Sequence, residues 1–246
     1  MGQRRYGQYC GLANAADLVG ERWTLLIIRD LLVGPKRFTD LRRGLGRIPT
    51  NILSTRLKRL EADGLVRRRV LPRPSGSVVY ELTDYGRDLE EAVFALGRWG
   101  ARSLGDPREG EVVTTDSLIT ALRATFRPDR ARGLRLLVEL RVADVVVTAK
   151  IDDGVLVVSE GGADDRADTT TAPDAPDAPD AVVHTGPVLR ALLAGEISPS
   201  DAAARGLLTV SGDESATRVF GTVFVIEAAP GSRAGLVNHI PAQHGQ

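Results

Sequence analysis

The side chains best suited to chemistry in this 246-residue chain are basic and small polar groups clustered between Lys36 and Val70. This segment, KRFTDLRRGLGRIPTNILSTRLKRLEADGLVRRRV, mixes Arg and Lys with Thr, Asn and Ser. Guanidinium and ammonium groups bind phosphate through charge, and short amides and hydroxyls can hydrogen-bond to base edges. The chemistry expected here is therefore non-covalent recognition of a polyanion such as nucleic acid.

Residues that could support catalysis or bind a metal are scarce. The chain has one cysteine, Cys10, and its three histidines, His184, His239 and His244, lie far apart in sequence. The sequence contains no P-loop, G-x-S-x-G elbow or H-E-x-x-H motif. We therefore expect a protein that is not an enzyme and that uses no cofactor or metal, although catalysis stays open as a less favoured alternative.

The charge of the chain is divided between two unlike halves. Residues 1–104 contain 19 Lys and Arg against 11 Asp and Glu, a net charge of +8, whereas residues 105–246 contain 13 against 21, a net charge of −8. A basic half attracts polyanions and an acidic half repels them. This asymmetry predicts a nucleic-acid-binding first half and a different role for the second.

Short helices must position the basic cluster. The apolar run WTLLIIRDLL predicts a buried helix that ends at Gly34-Pro35, and RFTDLRRGL predicts a short second helix. In IPTNILSTRLKRLEADG, Pro49 suits a first helical turn and Gly64 suits the C′ position. Two short helices joined by a tight glycine-containing turn form a helix-turn-helix.

The last of these helices is predicted to have a polar outward face. At about 100° per residue, the three leucines Leu53, Leu57 and Leu60 share the inner face. The opposite face then holds small, polar and basic side chains, namely Asn51, Thr55 and Lys58, with Ser54 and Arg59 at its flanks. Such a face can enter a groove.

The segment after Gly64 predicts a β-hairpin, followed by an apolar helix. LVRRRVLP and SVVYELT resemble strands, and RPSG between them forms a turn whose Arg73 could reach a phosphate or the minor groove. From Thr83 to Leu104 the pattern predicts a helix with Leu89, Val93 and Leu96 on one stripe and Phe94 and Trp99 beside it. We expect this helix to form a dimer interface.

The run from Cys10 to Leu104 resembles the HxlR-type winged helix-turn-helix transcriptional regulators, relatives of the MarR group. The resemblance lies in GERWTLLIIRDLLVGPKRFTDLRRGL, LSTRLKRLEADGLVRRRV and YELTDYGRDL. It implies a homodimer on double-stranded DNA, with the recognition helix at Pro49 to Asp63 and the wing at Arg69 to Val78. The implied DNA-binding residues are Thr50, Asn51, Ser54, Thr55, Lys58, Arg59, Arg69, Arg73 and Ser75. Some members of the family sense oxidants through a cysteine near the N-terminus, which makes Cys10 a candidate redox sensor.

The second half alternates with period two in LRLLVELRV and DVVVTAKIDDGVLVVSE, which predicts strands. Together with LRALLAGEISPSDAAARGLLTVSGDESATRVFGTVF, it is similar to the sterol carrier protein-like fold: a meander, two helices, a late strand and a closing helix. The resemblance implies an apolar tunnel, and the candidate lining residues are Leu136, Val138, Leu140, Leu189, Leu192 and Leu193. Asp153-Gly154 suits a hairpin turn, and Ser198 suits a helix N-cap. The Pro- and Asp-rich residues 161–181 predict an irregular loop.

The fold class expected is α+β: a winged helix-turn-helix domain at 1–104, a linker at 105–111 and a sterol carrier protein-like domain at 112–240. The function expected is a DNA-binding transcriptional regulator that responds to a small apolar or amphipathic effector. A lipid carrier with an accessory winged domain and a redox sensor acting through Cys10 are the alternatives. The sequence contains no secretion signal core or membrane-spanning run, so we expect a cytoplasmic protein without a membrane partner.

Overall fold

The computed structural model describes residues 5–105, 107–162 and 178–227. Contacts between Cα atoms divide the chain into two compact units, residues 1–95 and 96–246. Leu104, the expected end of the first domain, lies eight residues after Leu96, where the second unit begins. Within the described ranges, no helix is both long and apolar enough to cross a membrane.

The first unit is built of helices around a two-stranded hairpin. Its elements are α1 (Gly11–Val19), α2 (Thr24–Val33), α3 (Phe38–Gly44), α4 (Thr50–Ala62), β1 (Val66–Val70), β2 (Val78–Leu82), α5 (Asp84–Arg87) and α6 (Glu90–Ala101), the last of which continues into the second unit. Strands β1 and β2 are antiparallel, with Val66 opposite Leu82 and Val70 opposite Val78. The predicted order of helix-turn-helix followed by hairpin is therefore present.

The core of the first unit joins α2 to α4. Ile27, Ile28 and Leu31 of α2 are buried together with Leu53, Leu57 and Leu60 of α4. Burial of this leucine stripe confirms the inward face expected from its spacing. Gly64 follows α4 with a φ of +74°, the left-handed conformation that a C′ glycine adopts without steric cost.

The predicted helix from Thr83 to Leu104 is wrong as a single element, because the chain forms two helices, α5 and α6. The interruption lies at Asp88 and Leu89, where the Leu89 N–H bonds to the Gly86 carbonyl three residues back at 3.4 Å. Along α6, Val93 and Phe94 are buried, whereas Leu96 and Trp99 are 51% and 70% exposed. Only part of the predicted apolar stripe thus packs within the chain.

The second unit is a five-stranded sheet with helices. Its elements are α7 (Thr115–Thr125), a 3-10 helix (Pro128–Ala131), β3 (Arg135–Val142), β4 (Val145–Asp152), β5 (Val155–Glu160), β6 (Ala181–Thr185), α8 (Leu189–Leu193), α9 (Pro199–Ala204), β7 (Leu208–Gly212) and α10 (Glu214–Val223). The strand order is β5-β4-β3-β6-β7. Strand β6 is parallel to β3, and the other neighbours are antiparallel.

Two turn and cap predictions in this unit are confirmed. Asp153 and Gly154 join β4 to β5 with φ values of +45° and +81°, both left-handed, as a two-residue type I′ hairpin turn requires. Ser198 caps α9, since its hydroxyl accepts a hydrogen bond from the Asp201 N–H at 3.0 Å. Most of the predicted irregular loop at 161–181 lies outside the described residues.

Candidate nucleic-acid interface

Helix α4 presents the polar face that its sequence predicts. Asn51, Thr55 and Lys58 are exposed on the side opposite the buried leucines, and Thr50 is exposed in the first turn. The Thr55 hydroxyl donates to the Asn51 carbonyl at 2.8 Å, so its lone pairs remain directed outward. This surface offers amide, hydroxyl and ammonium groups, the chemistry that contacts base edges and phosphates.

The flanks of this face are less accessible. Ser54 and Arg59 are half-buried, and the Arg59 Nε forms an ion pair at 2.7 Å with the carboxylate of Asp63, one helical turn further along. This ion pair fixes the Arg59 guanidinium against α4. Asn51, Thr55 and Lys58 therefore form the most accessible part of the helix.

The hairpin places the predicted wing residues at its exposed tip. Arg73 and Ser75 are exposed in the turn between β1 and β2. The Arg37 Nη2 donates to the Ser75 hydroxyl at 3.2 Å, which ties the tip to the start of α3. Arg37 was not predicted; the preceding Lys36 bonds to Tyr80 of β2 through both backbone groups and brings Arg37 to the hairpin.

A buried carboxylate organises the base of the hairpin. Glu81 of β2 accepts hydrogen bonds from the Nε atoms of Arg67 and Arg69, each at 2.8 Å, and its side chain is 7% exposed. The bonds from Arg69 and Arg67, in that order, hold the pKa of Glu81 below its usual range despite burial. The side chains of Arg67 and Arg69 nevertheless remain 65% and 43% exposed. Of this trio, only Arg69 was predicted as a DNA-binding residue.

This part of the chain matches a known protein family. The HxlR-like helix-turn-helix family matches residues 18–107. The transcriptional regulator YvaP of Bacillus subtilis, of helix-turn-helix type, is 36% identical over 86 residues, which are 35% of this chain and 80% of YvaP. This chain belongs to the HxlR-like helix-turn-helix family.

Other relatives share the same segment of the chain. The regulator YodB of Bacillus subtilis is 38% identical over 36% of this chain and 79% of its own length. In the solved structure of its reduced form, the match is 35% identical, covers 40% of this chain and all of the solved chain, and has a TM-score of 0.36. An uncharacterized helix-turn-helix regulator of Mycobacterium tuberculosis is 44% identical over 39% of this chain, and the match spans 60% of that relative. These matches therefore cover well under half of this chain.

Cys10 is the N-cap of α1 in the first unit and lies eight residues before the segment that matches the HxlR-like family. It is exposed rather than packed among apolar neighbours, which is the less common situation for a free cysteine. The backbone N–H groups of Ala13 and Leu12 in the first turn of α1 favour the thiolate and so lower the pKa of the Cys10 thiol. The thiolate is therefore more accessible and more populated than in a buried cysteine.

The candidate ligand-pocket residues lie outside the HxlR-like unit. Leu136, Val138 and Leu140 are buried at alternate positions of β3, and Leu193 of α8 is buried, whereas Leu189 and Leu192 are half-buried. A depression of about 570 Å³ in the second unit lies elsewhere, between the end of α8 and α9, and has none of the six leucines and valines in its lining. The six residues thus contribute packed core and a half-buried helical face.

Proposed function

We propose that this protein is a sequence-specific DNA-binding transcriptional regulator, with α4 entering the major groove and the β1–β2 hairpin acting as a wing. The observation behind the proposal is the two-sided packing of α4. Its leucines anchor it in the core, and Asn51, Thr55 and Lys58 stand exposed on the opposite side. A helix held in this way can present side chains to base edges without losing its own packing.

The proposed interface divides into two kinds of contact. Asn51 and Thr55 would hydrogen-bond to base edges and set sequence preference, with Thr50 and Ser54 at the margin of the helix. Lys58, Arg59, Arg69, Arg73 and Ser75 would contact the phosphate backbone and set affinity. The net charge of +8 in residues 1–104 favours this contact electrostatically.

We propose that the regulator is a homodimer, because apolar side chains remain uncovered. Helix α1 has no buried residue, and Leu12 in its first turn and Tyr9 just before it are largely exposed. Leu96 and Trp99 of α6 are exposed as well. Contiguous exposed apolar surface marks a protein interaction site. In a dimer, the exposed apolar residues at α1 and on α6 would pack against exposed apolar residues of the second copy.

For the second unit, we propose a sterol carrier protein-like domain that binds a small apolar or amphipathic effector. In support, the meander, the two helices, the late strand and the closing helix that the resemblance implies occur in that order, with the additional strand β6 before the helices. The alternating apolar residues of β3 face inward, as they would beneath a tunnel. Binding of ligand would alter DNA affinity through reciprocal linkage.

A second candidate function is oxidant sensing through Cys10, and the observation in its favour is the exposed thiol with a lowered pKa. Oxidant treatment would then change DNA affinity of the wild-type protein. The Cys10→Ser variant would bind DNA equally well before and after treatment. An identical response of wild type and variant would remove this candidate.

The proposal is tested by gel-shift competition between DNA from the promoter region of its own gene and bulk DNA. A regulator of this kind prefers its specific site by roughly 10³-fold or more. Equal competition by both DNAs would refute sequence-specific binding. Lipid binding without DNA preference would instead favour a lipid carrier with an accessory winged domain.

A further inference from the structure

A depression of about 340 Å³ lies beside the first turn of α4, on the flank of the proposed base-contacting face. Arginine guanidinium groups and apolar surface line it: Arg22, Trp23, Arg47, Pro49, Ile52 and Arg56. None of these six residues belongs to the predicted DNA-binding set. The depression therefore represents a concentration of positive charge that the proposed interface does not use.

The backbone at the edge of the depression is held in a strained conformation. Trp23 precedes α2 with a φ of +78° and a ψ of −21°, the left-handed region that a side chain disfavours. Non-glycine residues keep such a conformation only where the surroundings enforce it, and they cluster at functional sites. Here the strained residue places Arg22 beside the indole, with the guanidinium carbon 5.3 Å from the ring centroid.

Arg56 stabilises the loop that contains Arg22. Its Nε donates to the Arg22 carbonyl at 3.2 Å, and its Nη2 pairs with the Glu21 carboxylate at 2.6 Å. The Arg56 side chain is only 18% exposed, so it acts mainly on the loop. Arg22 and Arg47, which also line the depression, are exposed residues.

The start of α4 adds to the positive potential at the depression. Its N-cap is Pro49, whose side chain makes no capping hydrogen bond, and the first turn contains no acidic residue. The partial positive charge of a helix N-terminus is therefore not offset by a side chain of α4 itself. Together with the two exposed guanidinium groups, this arrangement suits a phosphate group.

We propose that the depression binds one phosphodiester group of the DNA backbone beside the groove that α4 enters. Arg22 and Arg47 contact the phosphate oxygens, and Trp23 and Arg56 are positioning residues that hold Arg22 in place. This inference rests on the proposed function and adds a backbone contact to those of the hairpin. The occupant is a backbone phosphate because Pro49 and Ile52 of the lining flank Asn51 in sequence at the start of α4, so docking of α4 brings the DNA backbone to the depression.

The test is a fluorescence-anisotropy titration of full-length protein with operator DNA and bulk DNA across a range of salt concentrations. Arg22→Ala and Arg47→Ala should each lower the affinity for operator DNA and for bulk DNA by about ten-fold. Each should also reduce the slope of log K against log salt by about 0.9, because one phosphate contact is lost. The ratio of operator to bulk affinity should stay unchanged. Arg22→Lys should restore the slope, because the charge remains.

The matched control is Arg132→Ala, which removes the same charge from an exposed position of the second unit and should leave affinity and slope unchanged. Wild-type slopes in both Arg22→Ala and Arg47→Ala would overturn the inference while leaving DNA binding by α4 intact. Because Arg47 is exposed, its variant reports on the site even if Arg22→Ala disturbs the loop.

Two further results distinguish this inference from failure of the proposed function and from binding of a free anion. Wild-type protein that does not distinguish operator from bulk DNA refutes the proposed function itself. Saturable binding of inorganic phosphate that Arg22→Ala abolishes, combined with an unchanged DNA salt slope, assigns the depression to a free anion and overturns the proposal.

Discussion

At the scale of single residues, the interface separates side chains that would select bases from side chains that would bind phosphate. Asn51 and Thr55 lie on the exposed face of α4, and Arg73 lies at the exposed tip of the hairpin. Asn51→Ala or Thr55→Ala should reduce the binding free energy for the preferred base by about 1–3 kcal/mol. The variant should therefore discriminate less between operator sequences. Binding to a panel of single-base operator variants measures this loss.

Arg73→Ala should behave differently from the α4 variants, because a phosphate contact is independent of sequence. It should lower the affinity for operator and bulk DNA by the same factor. It should also reduce the slope of log K against log salt by roughly one unit. The same titrations measure both quantities. An altered base preference with an unchanged salt slope would contradict the assignment of Arg73 to the backbone.

Glu81 predicts a specific dependence of stability on pH. Its pKa in the folded state is lowered by Arg69 and Arg67, so the carboxylate stabilises the fold above its unfolded pKa of roughly 4.3. This contribution is lost as the pH falls through the lower folded value. Urea unfolding from pH 7 to pH 3 should therefore show a steeper loss of stability for wild type than for Glu81→Gln.

The control for this measurement is Glu91→Gln, at an exposed position of α6. It should follow the wild-type curve. Parallel curves for wild type and Glu81→Gln would show that the ion pairs at Glu81 contribute nothing to stability.

Residue positions were predictable from sequence where the relevant contacts are local. The exposure of Asn51, Thr55 and Lys58 follows from the spacing of leucines within one helix. The ion pairs of Glu81 and the hydrogen bond from Arg37 to Ser75 were not predicted, because their partners lie 12, 14 and 38 residues away. Only the hairpin register and the approach of Lys36 to Tyr80 bring those partners together.

At the scale of elements, the junction between hairpin and α5 depends on a close backbone approach at Gly86. A Cβ atom at this position would lie 2.1 Å from the Leu65 carbonyl oxygen. The Gly86 N–H also donates to the Thr83 hydroxyl, which caps α5. Gly86→Ala should therefore destabilise the protein by about 1–3 kcal/mol through overpacking against backbone.

Gly97 in the interior of α6 provides the matched comparison, because an added Cβ would meet nothing within 4 Å. Gly97→Ala should leave stability unchanged or raise it by up to about 1 kcal/mol through helix propensity. Chemical denaturation of both variants measures the difference. Equal stabilities would contradict the close approach at Gly86.

Elements with strong local signals were predictable, and those fixed by distant pairing were not. Asp153-Gly154 and Ser198 specify their turn and cap within a few residues. Strand β6 is only five residues long and is defined by pairing with β3, about 43 residues earlier, and with β7. Helix α7 was missed although Leu118 and Leu122 share one face and Thr114 caps it, a signal that the sequence contains.

At the scale of the whole molecule, the basic and acidic halves predict separable functions. A truncated protein lacking residues 106–246 retains the helix-turn-helix, the hairpin and α6. It should still dimerise and bind operator DNA, and it should lose the change in DNA affinity that an apolar effector causes in the full chain, typically about 1–3 kcal/mol. Light scattering and DNA titration with and without effector measure these properties. An unchanged response after truncation would exclude the second unit as the sensor.

The central claim is that α4 of a two-fold symmetric dimer selects a DNA sequence in the major groove. Hydroxyl-radical footprinting of the full-length protein on DNA from its own promoter region tests this claim most directly. We expect two related protected half-sites, centred about one helical turn or roughly 10 bp apart, that persist in excess bulk DNA. Loss of all protection in the presence of bulk DNA, or protection of a single asymmetric half-site, would contradict the account.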